Sequence, residues 1–228
     1  MTAIAARDGR TLALADGREL RLAAIEAPAS AQADLQALTA GRALDLQKAE
    51  AGHDRYGRLL AFVYTGDTAQ SVQQMLLERG QARVSARVGN KACADVLLAA
   101  EKRARAGRLG LWADPNFAPL AAEDSGRLRA ERGHFAIIEG RVISVRESGS
   151  TLYINFGRRW TRDFSVAVPR RLQKGFASSG LDLKQLAGRQ LRVRGWIEER
   201  RGPLIEADAP EQIELAGDAS KQSQEIHQ

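Results

Sequence analysis

A single cysteine in 228 residues, Cys93, leaves no partner for an intramolecular disulfide and nothing from which to build a multi-cysteine zinc site. It reads as a small residue on a helix face. The three histidines, His53, His134 and His227, are too scattered to nominate a metal site. No apolar run approaches the ~20 residues that a membrane span requires, so no membrane partner is expected. The opening "MTAIAARDGR" lacks the basic start and apolar core of a signal peptide. Because the chain begins almost inside its first strand, the compartment stays open: exported if an upstream segment has been removed, cytoplasmic otherwise. No GxxxxGK phosphate loop and no serine-histidine-aspartate arrangement can be placed, so other enzyme classes find no foothold.

What is present is an ordinary globular composition, 44% hydrophobic and 27% charged, outside the disordered class. The length suffices for one large domain or two small ones, and two is the starting expectation. A net charge of +6 and a pI near 9.9 come mostly from arginine, whose planar fork suits phosphate and stacks on bases. Basicity makes nucleic acid a candidate partner without establishing it.

Residues 11 to 25, "TLALADGRELRLAAI", read as two short strands joined by Asp16-Gly17, a pair suited to a tight hairpin. "SAQADLQALTAG" predicts a helix with Ser30 as cap, Leu35 and Leu38 on one face, and Gly41 at its end. "RALDLQ" and "RLLAFVY" are strands. A second helix follows in "DTAQSVQQMLLERG", with Thr68 as cap, Val72, Met75 and Leu76 inward and Gly80 at its end, and a third runs to Gly107 before "LGLW". Residues 113–133 show two prolines, mixed charge and no period, which predicts a linker. From His134 onward the order is three strands, a helical stretch and two strands, as in a small OB-type barrel. The expected fold is therefore mainly β with helices (α+β), built as two OB-type five-stranded barrels, the first with additional helices. The expected boundaries are 1–112, a linker at 113–133, a second domain at 134–215 and a disordered polar tail at 216–228.

"DGRTLAL…LRLAAIEAP…DRYGRLLAFVY…LLERGQARV…AEKRARAGRLGLW" resembles the staphylococcal nuclease (thermonuclease) family over residues 1 to 112. The second half resembles OB-fold nucleic-acid-binding domains found attached to such nucleases in bacteria. The first resemblance implies a barrel in which two aspartates hold calcium, a glutamate activates water and two arginines clamp the phosphate. Calcium needs several hard oxygen ligands, water needs a base or metal to attack a phosphodiester, and guanidinium groups steady the charge on phosphorus. Arg21 and Arg58 match the two clamps. The acidic positions depart from the pattern: DGDT reads "DGRT", with Arg10 at the first calcium ligand between Asp8 and Thr11. DTPE reads "EAPA", with Glu26 as the one retained acidic ligand position, then Ala27 and Pro28, and Ala29 at the place of the catalytic glutamate.

At an effective dielectric near 20, two unit charges ~4 Å apart interact by roughly 4 kcal/mol, and a divalent ion doubles that. Arg10 therefore swings the site against calcium by several kcal/mol, and loss of the base removes a further factor on the order of 10² to 10⁴ in rate. No cofactor is expected, calcium being the exception if the nuclease site works. The leading expectation is that Arg10, Arg21 and Arg58 converge on a metal-free anion site that holds a nucleic-acid phosphate without cutting it. Two alternatives stay open: a working phosphodiesterase that uses Asp8, Glu26 or Asp54, and a non-catalytic interaction scaffold.

In the second half, "RQLRVRGWIEE" places Leu191, Val193 and Ile197 inward and Arg192, Arg194 and Trp196 on the other face. "TLYINFG" leaves Tyr153 outward against Leu152, Ile154 and Phe156. "GRRWTR" between them adds Arg158, Arg159, Trp160 and Arg162. Outward aromatics interleaved with arginines suit single-stranded DNA or RNA, with bases stacking at ~1 to 3 kcal/mol each. The alternative is that Trp160 and Trp196 cover the linker or a barrel end. Stacking predicts that Trp160→Ala with Tyr153→Ala weakens single-strand affinity in a polarisation titration; unchanged affinity would remove the stacking proposal.

Overall fold

The fold is taken from a computed structural model, which describes residues 1–66, 68–89, 91–159 and 161–217. The chain divides into two compact units, Met1–Phe117 and Ala118–Gln228. Trp160 and most of the tail expected at 216–228 lie outside the described residues.

In the first unit, β1 (Ala3–Asp8), β2 (Thr11–Leu14) and β3 (Glu19–Leu22) form an antiparallel meander. The short β4 (Ile25–Glu26) leads to α1 (Gln32–Thr39), followed by β5 (Leu44–His53), β6 (Leu59–Thr65), α2 (Val72–Glu78), β7 (Arg83–Val84) and α3 (Lys91–Ala106). The main sheet runs β1-β2-β3-β6-β5, with β3 and β6 parallel. β6 is its most apolar strand, and Ala61 and Val63 are fully buried in it. Leu35 and Leu38 from α1 and Val72, Leu76 and Leu77 from α2 pack an apolar stripe onto this sheet, and Ala94, Leu97 and Ala100 of α3 extend the same core by packing against α2 and β7. Two cap expectations fail. Ala29–Ala31 forms a 3-10 turn ahead of α1, which carries Ser30 off the cap position. Ser71, not Thr68, accepts from the Gln74 N–H at the start of α2, and the Thr68 hydroxyl donates to the Gln70 carbonyl.

The second unit opens with β8 (Leu120–Ala121), α4 (Ser125–Ala130), β9 (Phe135–Arg141), β10 (Ser144–Ser148), β11 (Thr151–Asn155) and β12 (Ser165–Pro169). After α5 (Gln173–Ser178) come β13 (Gln190–Trp196), β14 (Glu198–Arg200), β15 (Gly202–Glu206) and β16 (Ile213–Leu215). They make two sheets, β10-β11-β12-β15-β14 and β16-β13-β9-β8, around a core that includes Ile138, Leu152, Ile154, Phe164, Val166 and Val193. As in the first unit, the third strand of a meander pairs in parallel with a later strand, here β12 with β15.

The architecture is mixed α+β as expected, but among the described residues no sheet closes into a barrel. In the first unit the edge strands β1 and β5 meet at one isolated bridge, Thr2 to Ala43, with no ladder beyond it. In the second unit the chain leaves one sheet at Arg141 and enters the other at Ser144, which splits the strands between two sheets. The segment 113–133, read from sequence as a linker, carries β8, which pairs in parallel with β9, and α4, which is capped by Asp124 and buries Leu128 completely. Elements this short show no period, which is why the sequence pattern missed them.

Two devices lock the end of the first unit. Gly80 and Gly110 press backbone on backbone, so that a Cβ at Gly80 would lie 2.1 Å from the Leu109 carbonyl oxygen, and the Leu111 N–H donates to the Gly80 carbonyl at 2.8 Å. Glu101 in α3 is fully buried, accepting from the Val84 N–H at 2.6 Å and from Arg105 at 2.9 Å. A buried carboxylate is tolerated only when it is paired in this way. Removing it breaks a buried ion pair and the bond to the Val84 amide, so Glu101→Ala is expected to destabilise the fold by about 3 to 5 kcal/mol, read as a lower urea midpoint.

Candidate functional site

The site forms where the β1–β2 turn faces the chain that leaves β4. Asp8 shapes the turn: its carboxylate accepts from the Arg10 N–H at 2.8 Å and from the Thr11 hydroxyl at 3.0 Å. Gly9 lies so close to the next segment that a Cβ there would sit 2.1 Å from the Pro28 carbonyl oxygen. The "DGRT" turn is thereby held against "EAPA", and Arg10 reaches across. Its guanidinium donates to the Ile25 carbonyl at 3.0 Å and forms an ion pair with the Glu26 carboxylate, both side chains being 16% exposed.

Arg21 stands opposite Thr11 in the β2–β3 register and donates to its hydroxyl at 3.2 Å. Its nearest carboxylate, Asp8, is 3.9 Å away and 43% exposed. Burial lowers the Arg21 pKa from its ordinary value, and repulsion from Arg10 and Arg58 lowers it further, against a partial offset by Asp8 and Glu26. Arginine nonetheless stays charged at any ordinary pH. Arg10 and Arg58 thus both act on Arg21, whose carboxylate contact is the longest of the three.

Arg58 is fixed by its own turn. The Asp54 carboxylate accepts from the N–H groups of Tyr56 at 2.9 Å and Arg58 at 3.0 Å, and from the Arg58 side chain at 2.7 Å through Nε, with Nη2 2.6 Å away. Asp54 thus ties down its loop and aims Arg58. Sequence reasoning passed over Tyr56, which is 66% exposed, with the Arg55 and Arg58 guanidinium carbons 4.7 and 5.1 Å from its ring centre. The signal was the alternation of arginine and aromatic in "DRYGR".

This donor set does not fit calcium. Calcium needs several free hard oxygen ligands, whereas here Glu26 is engaged by Arg10, Asp8 is engaged by the turn, and the Arg10 cation stands beside both. Among the described residues no three histidine, cysteine, aspartate or glutamate side chains come together in a way that could hold a metal.

The structure disperses the candidate residues of the second unit. Tyr153 is half-buried on β11, opposite Arg146 and Ala167, whereas Arg192, Arg194 and Trp196 belong to β13 in the other sheet. Arg192 lies between Glu139 of β9 and Glu214 of β16, at 2.5 and 3.4 Å, a charge ladder across three strands. Arg194 is fully buried and paired with Glu214, which corrects its expected outward position. Trp196 is 48% exposed and meets Phe135 edge to face. Arg158 and Arg159 are exposed; Trp160 lies outside the described residues.

Residues 19–114 match the model of the family described as staphylococcal nuclease homologue. The matched segment includes Arg21, Glu26 and Arg58 and begins after the Asp8–Thr11 turn. Residues 19–114, most of the first unit, are therefore similar to staphylococcal nuclease homologues. No curated protein matches the chain.

The Asp54 pKa is lowered: burial alone would raise it, but the hydrogen bonds from Arg58 and from the Tyr56 and Arg58 amides outweigh that effect. A depressed folded-state value means that the contribution is present above the unfolded aspartate value of about 3.9 and is lost as pH falls through the folded value. Asp54→Asn is expected to remove this acid limb from a stability-versus-pH profile; an unchanged limb would place its origin elsewhere.

Proposed function

We propose that this staphylococcal nuclease-like domain holds the phosphate backbone of nucleic acid without calcium-dependent cleavage. One observation carries the reading: the Arg10 guanidinium is paired with Glu26, so a fixed cation stands where the family's metal would be liganded. In such a pocket Arg21 is the primary contact, because its charge is the least compensated and two cations push on it. A phosphodiester oxygen would relieve that repulsion, with charge-assisted bonds from Arg21 and from Arg58 as aimed by Asp54. Arg10 adds field and no proton chemistry. Ala29, at the start of the 3-10 turn after Pro28, offers only a methyl group where a base would be needed.

We read the second unit as an OB-type module that adds affinity for single-stranded DNA or RNA through Tyr153, Arg158, Arg159 and Trp196. Arg192 and Arg194 drop out of that surface because Glu139 and Glu214 neutralise them. A scaffold role draws on a different observation, namely that Arg10 and Arg58 already have carboxylate partners.

The test is binding and cleavage of labelled single-stranded DNA and RNA, with calcium and with EDTA. The expected outcome is no cutting, binding that is unchanged by EDTA and falls steeply with salt as counterions are released, and a loss of about tenfold or more in the Arg21→Ala, Arg58→Ala double variant. Calcium-dependent cutting that vanishes in the double variant would restore the phosphodiesterase reading, with Glu26 foremost. Binding to neither polymer would leave the scaffold.

A further inference from the structure

The second unit holds a cavity of about 310 Å³ on the outer face of its five-stranded sheet, lined by residues of that unit alone. Ala167 of β12 and Glu206 of β15 are register partners and form its floor, where the small alanine side chain leaves the hollow open. Thr151 of β11 and Ser150 of the preceding turn supply hydroxyl groups at one wall. The Ser150 carbonyl accepts from the Arg170 N–H at 2.8 Å, which fixes the 3-10 turn Arg170–Leu172 beside that wall.

Charge in this cavity is unbalanced. Three arginines line it, Arg170, Arg171 and Arg200, against one carboxylate, Glu206. Glu206 is already engaged by Arg200 at 2.8 Å, and Glu198 holds the same guanidinium at 3.1 Å. Among the described residues, no carboxylate or other acceptor engages the side chains of Arg170 and Arg171, which are exposed neighbours on the rim. Two positive charges are thus left over beside two hydroxyls. A phosphodiester brings a single negative charge, whereas a phosphomonoester carries about −1.5 to −2 at neutral pH with three acceptor oxygens. Two guanidinium forks and two hydroxyls can satisfy those oxygens. Tyr153 lies directly across from the floor residue Ala167, with Arg146 on its other side, so a base attached to that phosphate would find an aromatic neighbour.

We propose that this cavity is a phosphomonoester site that takes the terminal phosphate of a nucleotide, either free or at the end of a nucleic-acid strand. Arg170 and Arg171 grip the phosphate, Ser150 and Thr151 donate to it, and Arg200, held by Glu206, borders it without giving up its own partner. The site uses none of the residues assigned to backbone binding in the first unit.

The experiment uses the full chain in a polarisation titration with three fluorescent oligonucleotides of one sequence, bearing a 5′-phosphate, a 3′-phosphate or hydroxyl ends only, with adenosine 5′-monophosphate and inorganic phosphate as competitors. At least one phosphorylated end, or the mononucleotide, is expected to bind about tenfold better than its hydroxyl counterpart. The Arg170→Ala, Arg171→Ala double variant is expected to bring that ratio to one while its urea midpoint stays unchanged. Displacement by the mononucleotide assigns the site to free nucleotides, and displacement by the phosphorylated strand alone assigns it to strand ends. Arg21→Ala is expected to lower binding of all three oligonucleotides and leave the ratio intact, so failure of the first-unit reading would be visible separately. Equal binding of phosphate-ended and hydroxyl-ended ligands, or a preference that survives in the double variant, would overturn the proposal.

Discussion

The ion pair between Arg10 and Glu26 decides how the rest of the first unit can be read. It joins the β1–β2 turn to the end of β4, two segments distant in sequence, and it does so with a group covalently part of the chain. A bound ion can be removed; a side chain cannot. The site is therefore permanently organised and permanently charged. Its arrangement depends on backbone contacts as much as on the pair, because Gly9 must lie against Pro28 before Arg10 can reach Glu26. A partly buried charge-assisted contact of this kind is worth about 1.5 to 3 kcal/mol, a large share of a small domain's stability.

The same economy recurs in the second unit with a different result. There the arginines that strand parity points to are spent on structure: Glu139 and Glu214 flank Arg192, and Arg194 is buried with Glu214. Arginines at a turn and a rim, Arg170 and Arg171, carry the uncompensated charge instead. Arginine content thus says little about where an anion binds; the placement of the carboxylates says more.

Much of this was legible in the sequence. The strand order, the buried faces of α1 and α2, and the alternation of Leu191 and Val193 follow from periodicity. The expectation that Arg10, Arg21 and Arg58 share one site came from motif matching, and Arg10 and Arg58 both repel the Arg21 charge. Three kinds of feature were not legible. Short elements such as β8 and α4 have too few residues to show a period. Caps depend on local geometry, and a 3-10 turn moved Ser30 out of register. Cross-strand partners such as Glu139 and Glu214 are far apart in sequence from Arg192, so an alternating strand could not reveal that its polar face was already neutralised.

The contact between Gly80 and Gly110 has a bearing on biosynthesis. The bond from Leu111 to Gly80 cannot form until the chain has been made past the end of α3, and the parallel pairing of β3 with β6 must await a strand that begins at Leu59. Domains fold N-terminal first at ~5 to 20 residues per second of synthesis, so the nuclease-like unit stays incomplete for seconds while its meander is already exposed. By the time it closes, β8 of the second unit is next to emerge, and a nascent chain stalled before Leu59 would present the unpaired edge of β3 to whatever surrounds the ribosome.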